Sequence, residues 1–104
     1  MVITILEGRV EQARGADLRR AFDAGRTHLP EGLVESYLIQ SRSDAEVWRI
    51  ISVWASGEAL AQMRRTEPIP GGVLMFRAAG ADPTLVVFDV AGRLLGEGSD
   101  FPAD

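Results

Sequence analysis

The segments with strand-like and helix-like spacing alternate in the order β-α-β-β-α-β, and this order strongly limits how a 104-residue chain can fold. Residues 2–10 are rich in β-branched side chains, and residues 33–40, 47–54 and 84–90 also have the apolar character of strands. A split β-α-β domain has this element order, with both helices on one face of a four-stranded antiparallel sheet. We therefore predict an α+β, ferredoxin-like domain over residues 1–90.

Helices are predicted between these strands. Apolar side chains recur at helical spacing from residue 11 to about residue 26. A second helix over residues 57–65 is expected to be capped by Ser56 and to end before Pro68. A short further helix is predicted over residues 72–79, where Gly80 follows as a terminator.

The final residues, 91–104, form a tail rich in Gly, Pro and acidic side chains. We expect this tail either to be mobile or to dock on a partner subunit, where residues 93–95 would add a strand to the partner's sheet edge.

The third strand-like segment is apolar on both of its faces, so both faces of the sheet need cover. The side chains that share one face by period two are Trp48, Ile50, Ser52 and Trp54, and those that share the other are Val47, Ile51 and Val53. Two helices cover only one face, and an apolar patch of this size is unusual on a monomer. We therefore predict a homodimer in which two sheets pack face to face, and a ligand cavity between sheet and helices.

Composition excludes several kinds of chemistry. The eleven basic residues are all Arg, so no Lys is available for a Schiff base, and the cysteine count of zero excludes thiolate nucleophiles and Cys-ligated metals. With a single histidine, His28, we expect neither a metal site nor any other cofactor. The net charge of -4 opposes binding to nucleic acid, and no segment has the length of an export signal or membrane span. We expect a cytoplasmic protein.

Several short motifs resemble those of the antibiotic biosynthesis monooxygenase family. They are Pro30-Glu31-Gly32-Leu33, the run Trp54-Ala55-Ser56-Gly57-Glu58-Ala59-Leu60, Phe76, Pro83 and the strand end Phe88-Asp89-Val90. The resemblance spans about residues 2–90 and implies a dimeric α+β barrel. It also implies a range of activities, including cofactor-free oxygenation of quinols and polycyclic aromatic compounds.

The resemblance implies a substrate pocket bounded by Trp54, whose indole would offer an apolar wall and one N–H donor. Ser52 and Trp48 share its face, and Ser52 would orient a phenol oxygen. Family members commonly carry an asparagine four residues before this tryptophan, where it stabilises a developing anion. This chain has Ile50 there, which cannot donate a hydrogen bond, so typical oxygenase activity is placed in doubt.

The remaining candidate residues are predicted from their residue type alone. His28 is a candidate general base at the pocket rim, because imidazole titrates near neutral pH, and Ser52 is the other catalytic candidate. The side chains expected to line an apolar pocket are Phe22, Tyr37, Met63, Met75 and Phe76. For each of them, and for Trp54, ordinary core packing is an equally good interpretation. Ser52 is alternatively a small packed residue, and His28 a solvated side chain at the end of a helix.

These observations favour a cofactor-independent, monooxygenase-like homodimer that binds a planar aromatic or quinol-type molecule. The alternative is a dimer of the same fold that binds a small molecule without catalysis or serves a structural role.

Overall fold

The computed structural model describes residues 1–97. Its strands and helices are, in chain order, β1 (Val2–Arg9), α1 (Gly15–Ala24), β2 (Leu33–Gln40), β3 (Val47–Trp54), α2 (Gly57–Thr66), α3 (Gly71–Ala78) and β4 (Thr84–Asp89). The strands form one antiparallel sheet of order β2-β3-β1-β4. This architecture confirms the predicted ferredoxin-like α+β fold. Within the described residues, no helix has both the length and the apolar composition needed to cross a membrane.

The predicted first helix is divided in the structure. Only Gly15–Ala24 is α-helical, and a short 3-10 turn lies at each end, at Gln12–Arg14 and Gly25–Thr27. The backbone N–H of Gly25 points to the carbonyl groups of both Phe22 and Asp23, which tightens the last turn. The second turn ends at His28 and carries the chain to the cavity described below.

The predicted cap of the second helix is confirmed. The Ser56 hydroxyl accepts a hydrogen bond from the backbone N–H of Ala59 at 3.0 Å, and α2 ends at Thr66, before Pro68. Gly32 precedes β2 with φ of +85°, and a Cβ atom there would lie 2.5 Å from the Cβ of Ala59. Only glycine therefore allows this turn to pack so closely against α2.

The tail segment predicted as a strand has no regular secondary structure, since residues 91–96 form neither helix nor strand. Leu94 is 99% exposed. Docking of this segment on a second subunit stays a prediction, and the rest of the predicted tail, residues 98–104, lies outside the described residues.

The helices cover one face of the sheet, which we call the covered face, and the main core lies there. It includes Leu6 on β1, Leu18 on α1, Trp48 and Ile50 on β3, and Phe76 on α3. The Phe76 ring is fully buried against Gly8, where a Cβ atom would come within 2.7 Å of the ring. A side chain at position 8 would therefore displace α3 from the sheet.

The opposite face, which we call the open face, has no helix of residues 1–97 against it. Its central positions are Ile3 and Ile5 on β1, paired with Val53 and Ile51 on β3 and flanked by Phe88 and Val86 on β4. Trp48, Ile50 and Trp54 lie together on the covered face, each 4% exposed. The predicted division of β3 into two apolar faces is thus confirmed.

Candidate small-molecule cavity

A cavity of about 480 Å³ lies between the covered face and the helices. Strands β1, β2 and β3 form its floor, and its walls come from the end of α1, from α2 and from α3. This volume is within the range of natural small-molecule sites, roughly 300–1,000 Å³. The predicted hollow between sheet and helices is therefore present.

The cavity walls are mainly apolar. Six of the apolar side chains that line its floor and walls are Phe22, Ile50, Trp54, Leu60, Met63 and Met75. Flat aromatic and flexible thioether groups of this kind adapt to a planar apolar molecule. The walls therefore favour an aromatic ligand over a highly charged one.

Trp54 lies at the end of β3, where it packs with Val2, Leu60 and Met63 and also borders the cavity. Its indole N–H donates to the Thr4 hydroxyl oxygen at 3.1 Å, and both side chains are buried. The N–H is therefore already engaged. The predicted role as a wall fits this geometry, but the predicted role as a hydrogen-bond donor to the ligand does not.

A polar row crosses the middle of the cavity floor. Ser36 on β2 lies opposite Ser52 on β3, and Ser52 lies opposite Thr4 on β1. The two serine hydroxyl oxygens are 2.9 Å apart and hydrogen-bonded, and both side chains are only partly buried. We call Ser36 and Ser52 the serine pair; it borders the cavity with oxygen atoms in an otherwise apolar floor.

Charged side chains surround the mouth of the cavity. His28 Nε2 lies 3.4 Å from Glu67 Oε1, which links the end of α1 to the end of α2, and the His28 side chain is 86% exposed. Arg26 similarly pairs with Asp23 at 3.4 Å. His28 thus lies at the rim, as predicted, but in contact with solvent.

The other predicted site residues divide between the cavity and other parts of the fold. Phe22, Ile50, Ser52 and Met63 border the cavity together with Trp54 and His28. Trp48 and Phe76 do not, because both are packed in the core beside α1 and α3.

Tyr37 also lies away from the cavity, because it faces the open side of β2 opposite Ile51. Its O–H donates to Glu35 Oε2 at 2.6 Å. This hydrogen bond to a carboxylate is the main cause that raises the pKa of Tyr37 above its usual value, and partial burial adds to the effect.

Sequence reasoning missed Ser36 and Thr4, although a signal for each was present. Pairing the second and third strands as a hairpin about residue 44 would have placed Ser36 opposite Ser52. Period two along β1 would have placed Thr4 on the same face as Val2 and Leu6.

No three His, Asp or Glu side chains within residues 1–97 form a group that could hold a metal ion.

The family model for antibiotic biosynthesis monooxygenases matches residues 1–69. This chain belongs to that family. The match covers β1 to the start of the loop after α2, and therefore the strands that carry the serine pair and Trp54. No curated protein sequence matches the chain significantly.

Solved structures support the assignment at the level of fold. An antibiotic biosynthesis monooxygenase-like protein from Deinococcus radiodurans superposes with a TM-score of 0.69 at 16% identity, covering 90% of this chain and 96% of that one. SnoaB, a cofactor-independent oxygenase from Streptomyces nogalater, superposes with a TM-score of 0.67 at 21% identity, covering 89% and 95%. Sequence identities this low establish a shared architecture but not a shared reaction.

Proposed function

We propose that this protein binds a planar, mostly apolar aromatic molecule in the cavity and oxygenates it without a cofactor. The observation that carries the proposal is the cavity of about 480 Å³, whose walls are apolar and whose floor holds hydroxyl groups in one central row. Membership of a monooxygenase family and the likeness to a cofactor-independent oxygenase support the choice of reaction.

In this reaction the substrate supplies all the electrons. For an anthrone, O2 converts the ring CH2 group to C=O, so one oxygen atom enters the substrate and the other leaves as water. The reaction needs an anionic substrate, since a carbanion or phenolate reacts with O2 far more readily than its conjugate acid. The protein therefore has to hold the ring, exclude water from it and remove one proton.

Of the two residues predicted for proton transfer, His28 is the better base, because a neutral imidazole has a ring nitrogen that accepts a proton and a serine hydroxyl is a far weaker base. Its position at the cavity mouth, 3.4 Å from Glu67, would let a captured proton leave to solvent. Ser52, on the floor, is better suited to holding a substrate oxygen than to accepting a proton.

A second candidate function is binding without oxygenation. Ile50 borders the cavity and is 4% exposed, yet it offers no hydrogen bond to a developing anion. Because the Trp54 N–H is engaged by Thr4, it cannot replace that donor. These two features favour a carrier or sensor of the same aromatic ligand.

We also propose that the protein is a homodimer whose two open faces pack together. On this face Phe88 is 52% exposed and Val86 is 47% exposed, beside the part-exposed Ile3, Ile5 and Ile51. A two-fold axis would place this apolar area against its own copy and close it to water. The covered face and its cavity would stay accessible in such a dimer.

The binding proposal is tested by titrating anthrone while tryptophan fluorescence is recorded. Trp48 lies in the core and Trp54 borders the cavity, so the two residues form a matched pair. We expect saturable quenching in the Trp48→Phe variant, where Trp54 is the remaining indole, and a much smaller change in Trp54→Phe. Equal quenching in the two variants, or none, would contradict binding in this cavity.

Oxygenation is then measured separately with an oxygen electrode and a panel of anthrones and quinols. The oxygenase proposal predicts protein-dependent O2 uptake with product formation in equal amounts. Quenching without uptake would instead identify the protein as a binding module.

A further inference from the structure

The polar floor of the cavity leaves a hydrogen-bonding capacity that the protein itself does not use. Each serine hydroxyl has one hydrogen to donate and two lone pairs to accept with. Ser36 and Ser52 are hydrogen-bonded to each other at 2.9 Å, so one of their two hydrogens is used within the pair. Within residues 1–97 neither hydroxyl makes another hydrogen bond, and the second hydrogen is therefore available at the cavity.

The direction of the bond within the serine pair is not fixed, because either oxygen can be the donor. If Ser36 donates to Ser52, then Ser52 can donate to a carbonyl oxygen of a ligand. If a ligand hydroxyl donates to Ser52, then Ser52 can donate to Ser36. The same two side chains can thus satisfy a C=O group or a C–OH group at one position.

We propose that the serine pair anchors an oxygen atom of the aromatic ligand and holds it in both its hydroxyl and its carbonyl form. This inference rests on the proposed binding of an aromatic molecule in the cavity. It assigns the ligand class more narrowly: a ring system with a phenol or quinone oxygen at its edge. Such a ligand can change oxidation state without losing its polar contact.

The spacing on β3 supports this ligand class. Ser52 and Trp54 point to the same face and are two residues apart, which is roughly 7 Å along a strand. A fused two-ring aromatic molecule has a comparable length. One end of such a molecule can lie against the Trp54 wall while an oxygen at its edge reaches the serine pair.

Three related probes test the assignment: 1-naphthol, 1,4-naphthoquinone and naphthalene, with binding measured by equilibrium dialysis. The chain has no cysteine thiols, and its basic residues are all Arg, so the quinone meets neither a thiol nor a lysine amine. We expect the protein to bind the naphthol and the quinone more tightly than naphthalene. Ser52→Ala should weaken binding of the two oxygenated probes by about 3- to 10-fold and leave naphthalene unchanged.

Two further variants serve as controls. Ser43→Ala removes a hydroxyl from a second serine pair, Ser41 and Ser43 in the β2–β3 loop, which are 3.2 Å apart, and it should change no affinity. Ser52→Thr keeps the hydroxyl and should retain the preference for oxygenated probes. Thermal unfolding of each variant separates a loss of the contact from a loss of the fold.

The outcomes distinguish this inference from the proposal on which it rests. If the unmodified protein binds all three probes with one affinity, or if Ser52→Ala weakens all three equally, the serine pair is not an anchor, although the cavity still binds aromatic molecules. If none of the three binds, the proposed cavity function fails, and this inference fails with it.

Discussion

The two faces of the sheet are built from the same four strands but differ in the side chains at their centres, which are polar on one face and apolar on the other. On the covered face, the middle of the sheet carries Thr4, Ser36 and Ser52 beneath a cavity. On the open face, the neighbouring residues Ile51 and Val53 are apolar. The side that holds the core thus has polar groups at its centre, and the side without a helix is the more uniformly apolar. This contrast indicates a small-molecule ligand for the first and a protein surface for the second.

Within residues 1–97, the helices pack against the covered face, where both clusters of buried hydrophobic side chains lie. Phe76 on α3 is 0% exposed, because it fills the space over Gly8 on the covered face. Phe88 points to the open face and is 52% exposed on β4, an edge strand whose six residues are all exposed. The exposed fractions of these two phenylalanine side chains therefore differ strongly between the two faces.

The largest expected effect is that of Phe76→Ala, which should lower the free energy of unfolding by about 3–5 kcal/mol, since it leaves a cavity in a packed core. Phe88→Ala should lower it by less than about 1 kcal/mol when the protein is dilute, because this ring is half exposed. Urea unfolding followed by tryptophan fluorescence gives both values. If the protein is a dimer, the loss of unfolding free energy caused by Phe88→Ala grows as protein concentration rises, whereas the loss caused by Phe76→Ala stays constant. Equal losses of unfolding free energy in the two variants at every protein concentration would contradict the proposed difference between the two faces.

The next prediction concerns the centre of the open face. Ile51→Arg would place a charge where the two sheets are proposed to meet, and it should weaken dimerisation by more than about 100-fold. Sedimentation equilibrium measures the change, and the unmodified protein should have twice the chain mass of 11.3 kDa. Leu74→Arg is the control, because Leu74 is 51% exposed and lies on α3, on the other side of the sheet from the open face. A mass of 11.3 kDa for the unmodified protein at micromolar concentration would overturn the dimer.

Most of the fold could be predicted from the sequence because local patterns determine it. The bounds of β2 and β3 follow from their apolar runs, and Ser56 marks the start of α2 through a cap that the structure contains. The first helix was predicted too long, since helical spacing does not distinguish an α-helix from the 3-10 turns that flank it.

The cavity was less predictable, because it depends on which elements meet. Phe22 and Phe76 are both helical phenylalanines, yet one borders the cavity and the other is buried over Gly8. Residue type alone predicts Tyr37 in the pocket, whereas its position on the strand turns it to the open face. The use of the Trp54 N–H by Thr4 depends on the pairing of β1 with β3, which no local pattern reveals.

The open face ends in a group of ion pairs. Arg49 Nε lies 2.7 Å from Glu7 Oε1, and Arg9 lies 2.8 Å from Asp44 and 3.1 Å from Glu46. The hydrogen bond from Arg9 is the main cause that holds the pKa of Asp44 below its ordinary value, and a backbone N–H bond from Glu46 adds to it. At this end of the face, two guanidinium groups therefore pair with three carboxylates of the same chain.

The smallest expected effect comes from removing the Asp44 charge. Because the pKa of Asp44 is lower in the folded chain than in the unfolded one, its contribution to stability is fully present above about pH 3.8 and disappears as pH falls through the native value. Asp44→Asn, which keeps an oxygen for the Glu46 N–H, should lower the melting temperature at pH 7 by at most a few degrees, since both partners are exposed. The difference from the unmodified protein should vanish as pH falls well below 3.8. Asp89→Asn is the control, because Asp89 makes no ion pair within residues 1–97. A difference that persists in acid would mean that Asp44 acts through the geometry of the β2–β3 loop and not through its charge.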